Sequence, residues 1–151
     1  MTSVVIRRAT ATDVAGIVSL LTDDEIAAQR ESPDDLTPYQ AAFAAIEADP
    51  QQVLVVAERN GELVGTLQLT IIPGLSRMGA TRGLVEAVRV AASARGTGLG
   101  TTLMEWSIEE ARARGCTILQ LTSDKARVDA HRFYLRLGFT QSHEGFKYAL
   151  S

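Results

Sequence analysis

At 151 residues, 46% apolar, 22% charged and with a formal net charge of −3, the chain has the composition of a globular domain with a real core, and neither a disordered tail nor a polyanion binder is expected. Its single cysteine, Cys116, excludes an internal disulfide and a Cys-based zinc site, no apolar run nears the roughly 20 residues of a membrane span, and "MTSVVIRRAT" lacks a leader's apolar region. The expectation is one domain over residues 1–151, cytoplasmic, with no metal, nucleic acid or membrane partner.

"VVIRRA" reads as a β-branched strand, followed by a helix over "VAGIVSLLTDDEIAAQ" that Thr12 or Asp13 can cap. Pro33 and Pro38 break the pattern, and "YQAAFAAIEA" resumes a helical period that stops before Pro50. "QVLVVAER" and "ELVGTLQLTII" flank Asn60-Gly61, whose tolerance of positive φ predicts a type I′ hairpin. "PGLSRMGATRG" reads as a loop and "LVEAVRVA" as a strand. Leu99, Leu103, Met104, Trp106, Ile108 and Ala111 then form an apolar helical face that ends at Gly115. "CTILQLTS" reads as a buried strand opened by Cys116, "DAHRFYLRLG" as a short helix ended by Gly138, and "TQSHEGFKYAL" as a closing hairpin.

Between the central strand and the long helix stands "ARGTGLGTT". Glycines in that position let backbone N–H groups approach a ligand, and the helix start adds partial positive charge, a combination suited to phosphate oxygens. A Walker A loop is excluded because no Lys follows Gly96, Gly98 or Gly100. A dinucleotide-binding fingerprint needs a third glycine where Thr101 stands, although the surrounding strand, helix, strand and Asp124 fit that alternative. The pattern Q/R-x-x-G-x-G/A is met in full by Arg95, Gly98 and Gly100.

With "EAVRV" upstream and Phe133-Tyr134-x-x-x-Gly138-Phe139 downstream, the chain resembles the GNAT superfamily of acetyl-CoA-dependent N-acetyltransferases over essentially its whole length, including "VIRRATATDVAGIVSLL". The resemblance implies a mixed α/β (α+β) fold: a mostly antiparallel central sheet, flanked by helices, with splayed middle strands between which a pantetheine arm inserts. It implies direct acetyl transfer from acetyl-CoA to a primary amine of a small molecule or peptide in a ternary complex. Homodimers are frequent in the family, but no sequence feature here fixes an interface.

By the same resemblance, the diphosphate of coenzyme A lies against Arg95, Gly96, Thr97, Gly98, Leu99, Gly100 and Thr101, and backbone groups of Val88, Arg89 and Val90 pair with the arm. Members commonly carry Asn seven residues before the motif tyrosine; here that position is Arg127, which can meet a phosphate instead. Tyr134 is the implied general acid for the leaving thiolate. Two-residue alternation puts Glu86 on one face with Val88 and Val90, in an apolar run where a carboxylate is costly without a task or a partner. It is a base acting through water, a ligand for a cationic acceptor, or a partner of Arg82 or Arg89. The acidic residues between Asp23 and Asp35 suit a cationic acceptor, whereas Arg82 suits one bearing a carboxylate. Two readings from other classes stand beside these: a non-catalytic acyl-CoA sensor or interaction module, and a dinucleotide-binding domain.

Overall fold

A computed structural model describes residues 3–151; Met1 and Thr2, at the head of the stretch read for a leader, lie outside the described residues. The chain divides into two compact units, the residues up to Gln120 and Leu121–Ser151. The first contains β1 (Val5–Arg8), a 3-10 turn (Ala11–Asp13), α1 (Val14–Thr22), α2 (Glu25–Ala28), α3 (Thr37–Ala48), β2 (Gln52–Arg59) and β3 (Glu62–Ile72). It continues with α4 (Ser76–Gly79), β4 (Arg82–Val90), α5 (Leu99–Ala113) and β5 (Ile118–Gln120). The five strands form one sheet in the order β1-β2-β3-β4-β5, antiparallel throughout except for the parallel β4–β5 pair. This is the expected mixed α/β architecture, and it contradicts the dinucleotide-binding alternative, which requires a doubly wound parallel sheet.

The β2–β3 hairpin turns at Asn60 (φ 54°) and Gly61 (φ 78°), as their turn chemistry predicts. Alternation along the strands puts Val53, Val55, Leu67, Leu69 and Val85 on the face covered by Leu99, Leu103, Met104 and Ala111 of α5, and each of these is at most 3% exposed. Gly65 allows the close approach, since a Cβ there would stand 3.0 Å from Leu103 Cδ1 and 3.2 Å from the Arg89 carbonyl oxygen. Truncating Leu103 to alanine is expected to cost about 2–5 kcal/mol. The opposite face is covered by α1 and α3, where Val14, Val18 and Phe43 pack with Leu36, Tyr39 and Leu54.

Several expectations need correction. The first helix breaks at Asp23–Asp24, whose side chains turn to Arg95 and Arg89 instead of continuing a helical face. Asp13 does not cap α1 forwards: its carboxylate reaches back to accept the Thr10 N–H at 2.7 Å and to bind Arg7. The expected loop at 73–83 holds the single turn α4, in which Arg77 and Met78 take left-handed angles (φ 54° and 59°). The buried strand expected at 116–123 shrinks to β5, an edge strand with Ile118 exposed and Cys116 half-buried.

In the second unit, α6 (Val128–Leu137) ends on Gly138, whose φ of 105° suits a glycine C-cap. The closing hairpin expected at 140–150 is not formed, and among the described residues no strand and no backbone–backbone hydrogen bond involves that segment. An isolated two-stranded hairpin is marginal in water, and the segment carries no Asn-Gly type of turn to fix its register.

Candidate active site

From β4 the chain passes through a 3-10 turn, Ala92–Ala94, into the glycine-rich loop and then α5. Gly96 (φ 78°) and Gly98 (φ 83°) are left-handed, and a Cβ at either would meet nothing within 4 Å, so backbone conformation and not crowding requires glycine. The helical ladder opens at Gly98, whose carbonyl accepts the Thr102 N–H at 3.1 Å and its Oγ1 at 3.1 Å. The N–H groups of Leu99, Gly100 and Thr101 therefore have no intrahelical acceptor and carry the positive end of the helix dipole.

Two guanidinium groups border this open backbone. Arg95 is 59% exposed; its Nη2 stands 3.8 Å from the Asp23 carboxylate and donates to the Asp23 carbonyl at 3.4 Å. Arg59, at the end of β2, donates to Thr97 Oγ1 at 3.4 Å, and Thr97 in turn donates to the Ala94 carbonyl. Arg59 was not among the sequence candidates, because a contact across 38 residues leaves no local signal. Bare N–H groups, a helix start and two arginines fit a diphosphate.

β4 pairs with β5 only over Arg82, Gly83 and Leu84, so from Val85 to Val90 its outer edge meets no strand among the described residues. That is the opening between middle strands that the resemblance implies. On its inner edge Glu86 opposes Gln68 and Arg89 opposes Thr66, leaving Ala87 and Val88 together against Leu67 in a bulge with Ala87 at φ 53°. The face assigned to Glu86 by simple alternation is therefore wrong. Glu86 lies with Arg89 on the face of Thr66 and Gln68, whereas Val90 pairs with Gly65 on the other face and Val88 sits against Leu67.

Glu86 is also exposed. The contacts of the two arginines considered as its partners lead elsewhere. Arg82 donates to Gln120 Oε1 at 3.5 Å, and Arg89 stands 3.5 Å from Asp24 while donating to the Val88 carbonyl at 2.9 Å. On the same face Gln68 Nε2 and Thr70 Oγ1 both donate to Gln52 Oε1, at 2.9 and 2.8 Å. These polar residues at alternate positions of apolar strands were a readable signal that the sequence analysis passed over.

The acidic stretch between α1 and α3 is mostly engaged within the protein. Asp23 and Asp24 face Arg95 and Arg89, Glu31 accepts from the Tyr39 hydroxyl at 2.9 Å, and Asp35 Oδ1 accepts the Thr37 N–H at 3.1 Å. The Cys116 thiol has its pKa pushed up by burial, opposed in part by Arg114.

In the second unit, the Tyr134 ring sits edge-on to Phe133 (centroids 5.2 Å apart) and Phe139 (5.8 Å). The Gly138 and Phe139 N–H groups return to the Leu135 and Tyr134 carbonyls, both at 3.1 Å. The Phe-Tyr-x-x-x-Gly-Phe motif thus folds on itself and holds the phenol of Tyr134 by aromatic contacts on two sides. Arg127 lies half-buried at the start of α6, its N–H bonded to the Asp124 carbonyl at 3.0 Å. Nearby, Ser123 Oγ is buried with no hydrogen-bond partner among the described residues. No helix of the described residues is long and apolar enough to cross a membrane.

Residues 14–139 match the family described as acetyltransferase (GNAT) family. The chain is 38% identical over 116 residues to an aminoalkylphosphonate N-acetyltransferase of Salmonella typhimurium, a match covering 77% of this chain and 75% of that protein. It is 31% identical over 138 residues to an L-methionine sulfoximine/L-methionine sulfone acetyltransferase of Pseudomonas paraeruginosa, covering 89% and 78%. Among solved structures, one described as a transcriptional regulator from Bacillus halodurans C-125 superposes with a TM-score of 0.95 at 43% identity, covering 98% of this chain and all of that one.

Proposed function

Because the chain belongs to the acetyltransferase (GNAT) family, we propose that it transfers the acetyl group of acetyl-CoA to the primary amine of a small molecule, with donor and acceptor bound together. The observation that carries this reading is the loop at the start of α5, left-handed at Gly96 and Gly98, open above both, and bordered by Arg59 and Arg95. The unpaired edge of β4 beyond Leu84 supports it, since an extended arm with amide groups can pair there as an added strand does.

Bound acetyl-CoA supplies an acyl group activated as a thioester. The loop from Arg95 to Thr101 holds the diphosphate, Arg127 contacts a further phosphate oxygen, and the free backbone groups of Val88, Arg89 and Val90 orient the arm. Tyr134 gives the proton that the departing sulfur requires. A phenol near pKa ~10 and a thiol near ~8.5 are close enough for that step once the site favours the phenolate. Glu86 takes the acceptor's ammonium proton through water, a role that its exposure suits. Cys116 is a poor acyl carrier, since burial raises its pKa and leaves little thiolate, which favours direct transfer. The unpaired thiol also suits a reducing, cytoplasmic setting.

For the acceptor, the relatives named for aminoalkylphosphonates and for L-methionine sulfoximine and sulfone support an amine that carries an anionic group on the same small molecule. Thiol release measured across aminoalkylphosphonates, amino acids and plain alkylamines tests this, with the first two classes expected to turn over and the third expected to lag. Tyr134→Phe is expected to keep coenzyme A affinity and lower kcat by about 10²–10⁴. Full kcat in that variant, where chemistry limits the rate, would remove Tyr134 from the acid role. Glu86→Gln should abolish the acidic limb of the kcat/KM profile; a raised KM with the limb retained makes Glu86 an acceptor ligand instead. Coenzyme A binding without turnover on any amine would favour a sensor, the reading to which the similar structure described as a transcriptional regulator lends support.

A further inference from the structure

We infer that the anionic group of the acceptor is received over Leu84, between the carboxamide of Gln52 and the Arg82–Gln120 pair, with the acceptor's nitrogen at Glu86. The inference rests on the acyltransferase reading for calling this ligand an acceptor, and adds the groups that choose it. Register brings Gln52, Thr70, Leu84 and Gln120 into one row across β2, β3, β4 and β5. Gln68 and Glu86 pair in the next row on the same face, about 7 Å away, and Arg82 stands in the row on the other side.

On the opposite face these strands present Val53, Leu69 and Val85, all buried. Here carboxamides and a hydroxyl stand in their place, each half-buried. Internal hydrogen bonds fix which end of each carboxamide is left over. Gln52 Oε1 accepts from both Gln68 Nε2, at 2.9 Å, and Thr70 Oγ1, at 2.8 Å, so its oxygen is occupied and its Nε2 donors remain for a ligand. Gln120 Oε1 likewise accepts from Arg82 Nη1, at 3.5 Å. Two carboxamide nitrogens and a guanidinium thus border Leu84, and the row they share includes no acidic residue.

Amide donors turned outwards call for an acceptor oxygen, and the guanidinium favours one that carries charge. Glu86, one row away, calls for the opposite sign. A small zwitterion satisfies both: an ammonium at Glu86, a short alkyl chain over Leu84, and a phosphonate or carboxylate at the donors. A plain alkylamine would cover the same donors and leave them without a partner, which is a strong basis for rejection.

The readout is kcat/KM for aminoethylphosphonate divided by that for ethylamine, with calorimetric binding of aminoethylphosphonate to the coenzyme A-loaded chain measured beside it. Gln52→Glu keeps the oxygen that Gln68 and Thr70 bind and puts a second oxygen where the donors stood; it is expected to lower the ratio by about 100-fold. Gln52→Leu and Arg82→Gln should each lower it by about 10-fold, the ordinary loss for a hydrogen bond to a charged group. Thr70→Val removes one of the two bonds that orient the carboxamide and should lower the ratio by about 3-fold. It should have no further effect when combined with Gln52→Leu, a dependence that a merely structural threonine would not show. Unchanged melting temperatures will mark the variants as folded, and if Gln52→Glu fails to fold, Gln52→Leu and Arg82→Gln decide. Binding that depends on Gln52 and Arg82, in a chain that acetylates no amine, would keep the site and remove the acyltransferase reading. A wild-type ratio near one, a wild type that does not bind aminoethylphosphonate, or a ratio indifferent to the folded variants would overturn the inference, while acetylation of either amine leaves the acyltransferase reading standing.

Discussion

The two ends of α1 each bring an aspartate to an arginine, and the two contacts differ in every respect that matters. At its start Arg7 grips Asp13 through two nitrogens, at 2.7 and 3.0 Å, and Glu58 at 2.6 and 3.1 Å. Asp13 is only 6% exposed, and the guanidinium holds its carboxyl at about 2, below the ordinary 3.8, with the Thr10 N–H adding to the effect. At the end of α1, Asp23 and Arg95 stand 3.8 Å apart, each about 60% exposed. The first contact closes β1, β2 and the helix start on one another. The second is exposed and long, so Arg95 would lose little by leaving Asp23, as the proposed phosphate contact requires. Residue types alone do not tell a structural ion pair from an exchangeable one; distance and hydration do.

The largest way to sharpen this contrast is to fix a carboxylate on the loop itself. Gly98→Asp is expected to weaken coenzyme A binding by at least about 100-fold in calorimetry, because the added charge stands where phosphate must approach. Its melting temperature should fall only by the small cost of a non-glycine residue at positive φ, about 1 kcal/mol. Unchanged affinity would move the diphosphate site elsewhere.

Breaking the other contact should reverse the pattern. Asp13→Asn is expected to lose about 1–2 kcal/mol of folding free energy at neutral pH, after allowance for a partly hydrated guanidinium, with kcat unaltered. Because the folded-state pKa is depressed, the Asp13 contribution is complete above about pH 4 and is lost as the pH falls through about 2. Urea unfolding curves of the wild type and the variant should therefore converge across that window, and curves that stay parallel down to pH 2 would contradict it.

The smallest effect is expected at Asp23. Removing a loosely held competitor by Asp23→Asn should tighten coenzyme A binding by about 2–5-fold at low salt, with no change in melting temperature and with the gain fading at high ionic strength. Weaker binding in that variant would make Asp23 a positioner of Arg95 and not its competitor.

Features written in local chemistry were legible before any coordinates: the Asn60-Gly61 turn, the helix ended by Gly138 and the loop from Arg95 to Thr101. The Arg7–Asp13–Glu58 contact was not, since Glu58 stands 51 residues from Arg7 and each residue alone looks like solvated charge. The break after α1 was hidden for a related reason: no proline or glycine marks Asp23–Asp24, and both side chains meet arginines far along the chain. The face of Glu86 was misread because Ala87 carries the left-handed angle, and alanine gives no warning of it. "CTILQLTS" was overread as a buried strand and "TQSHEGFKYAL" as a closing hairpin, because β-type composition alone does not say whether a partner strand is there to complete the pairing.

The bulge at Ala87 has a consequence for how such an enzyme can diverge. Either side of it β4 runs out of phase, so Glu86 presents its side chain on the face of Thr66 and Gln68, while Val88 to Val90 lie along an edge that no strand of the described residues pairs. Mutation rewrites side chains and leaves the peptide backbone in place. On the proposed reading, Gln68 and Thr70 are thus free to drift towards a new amine while Glu86 and the main-chain contacts to the pantetheine arm are kept.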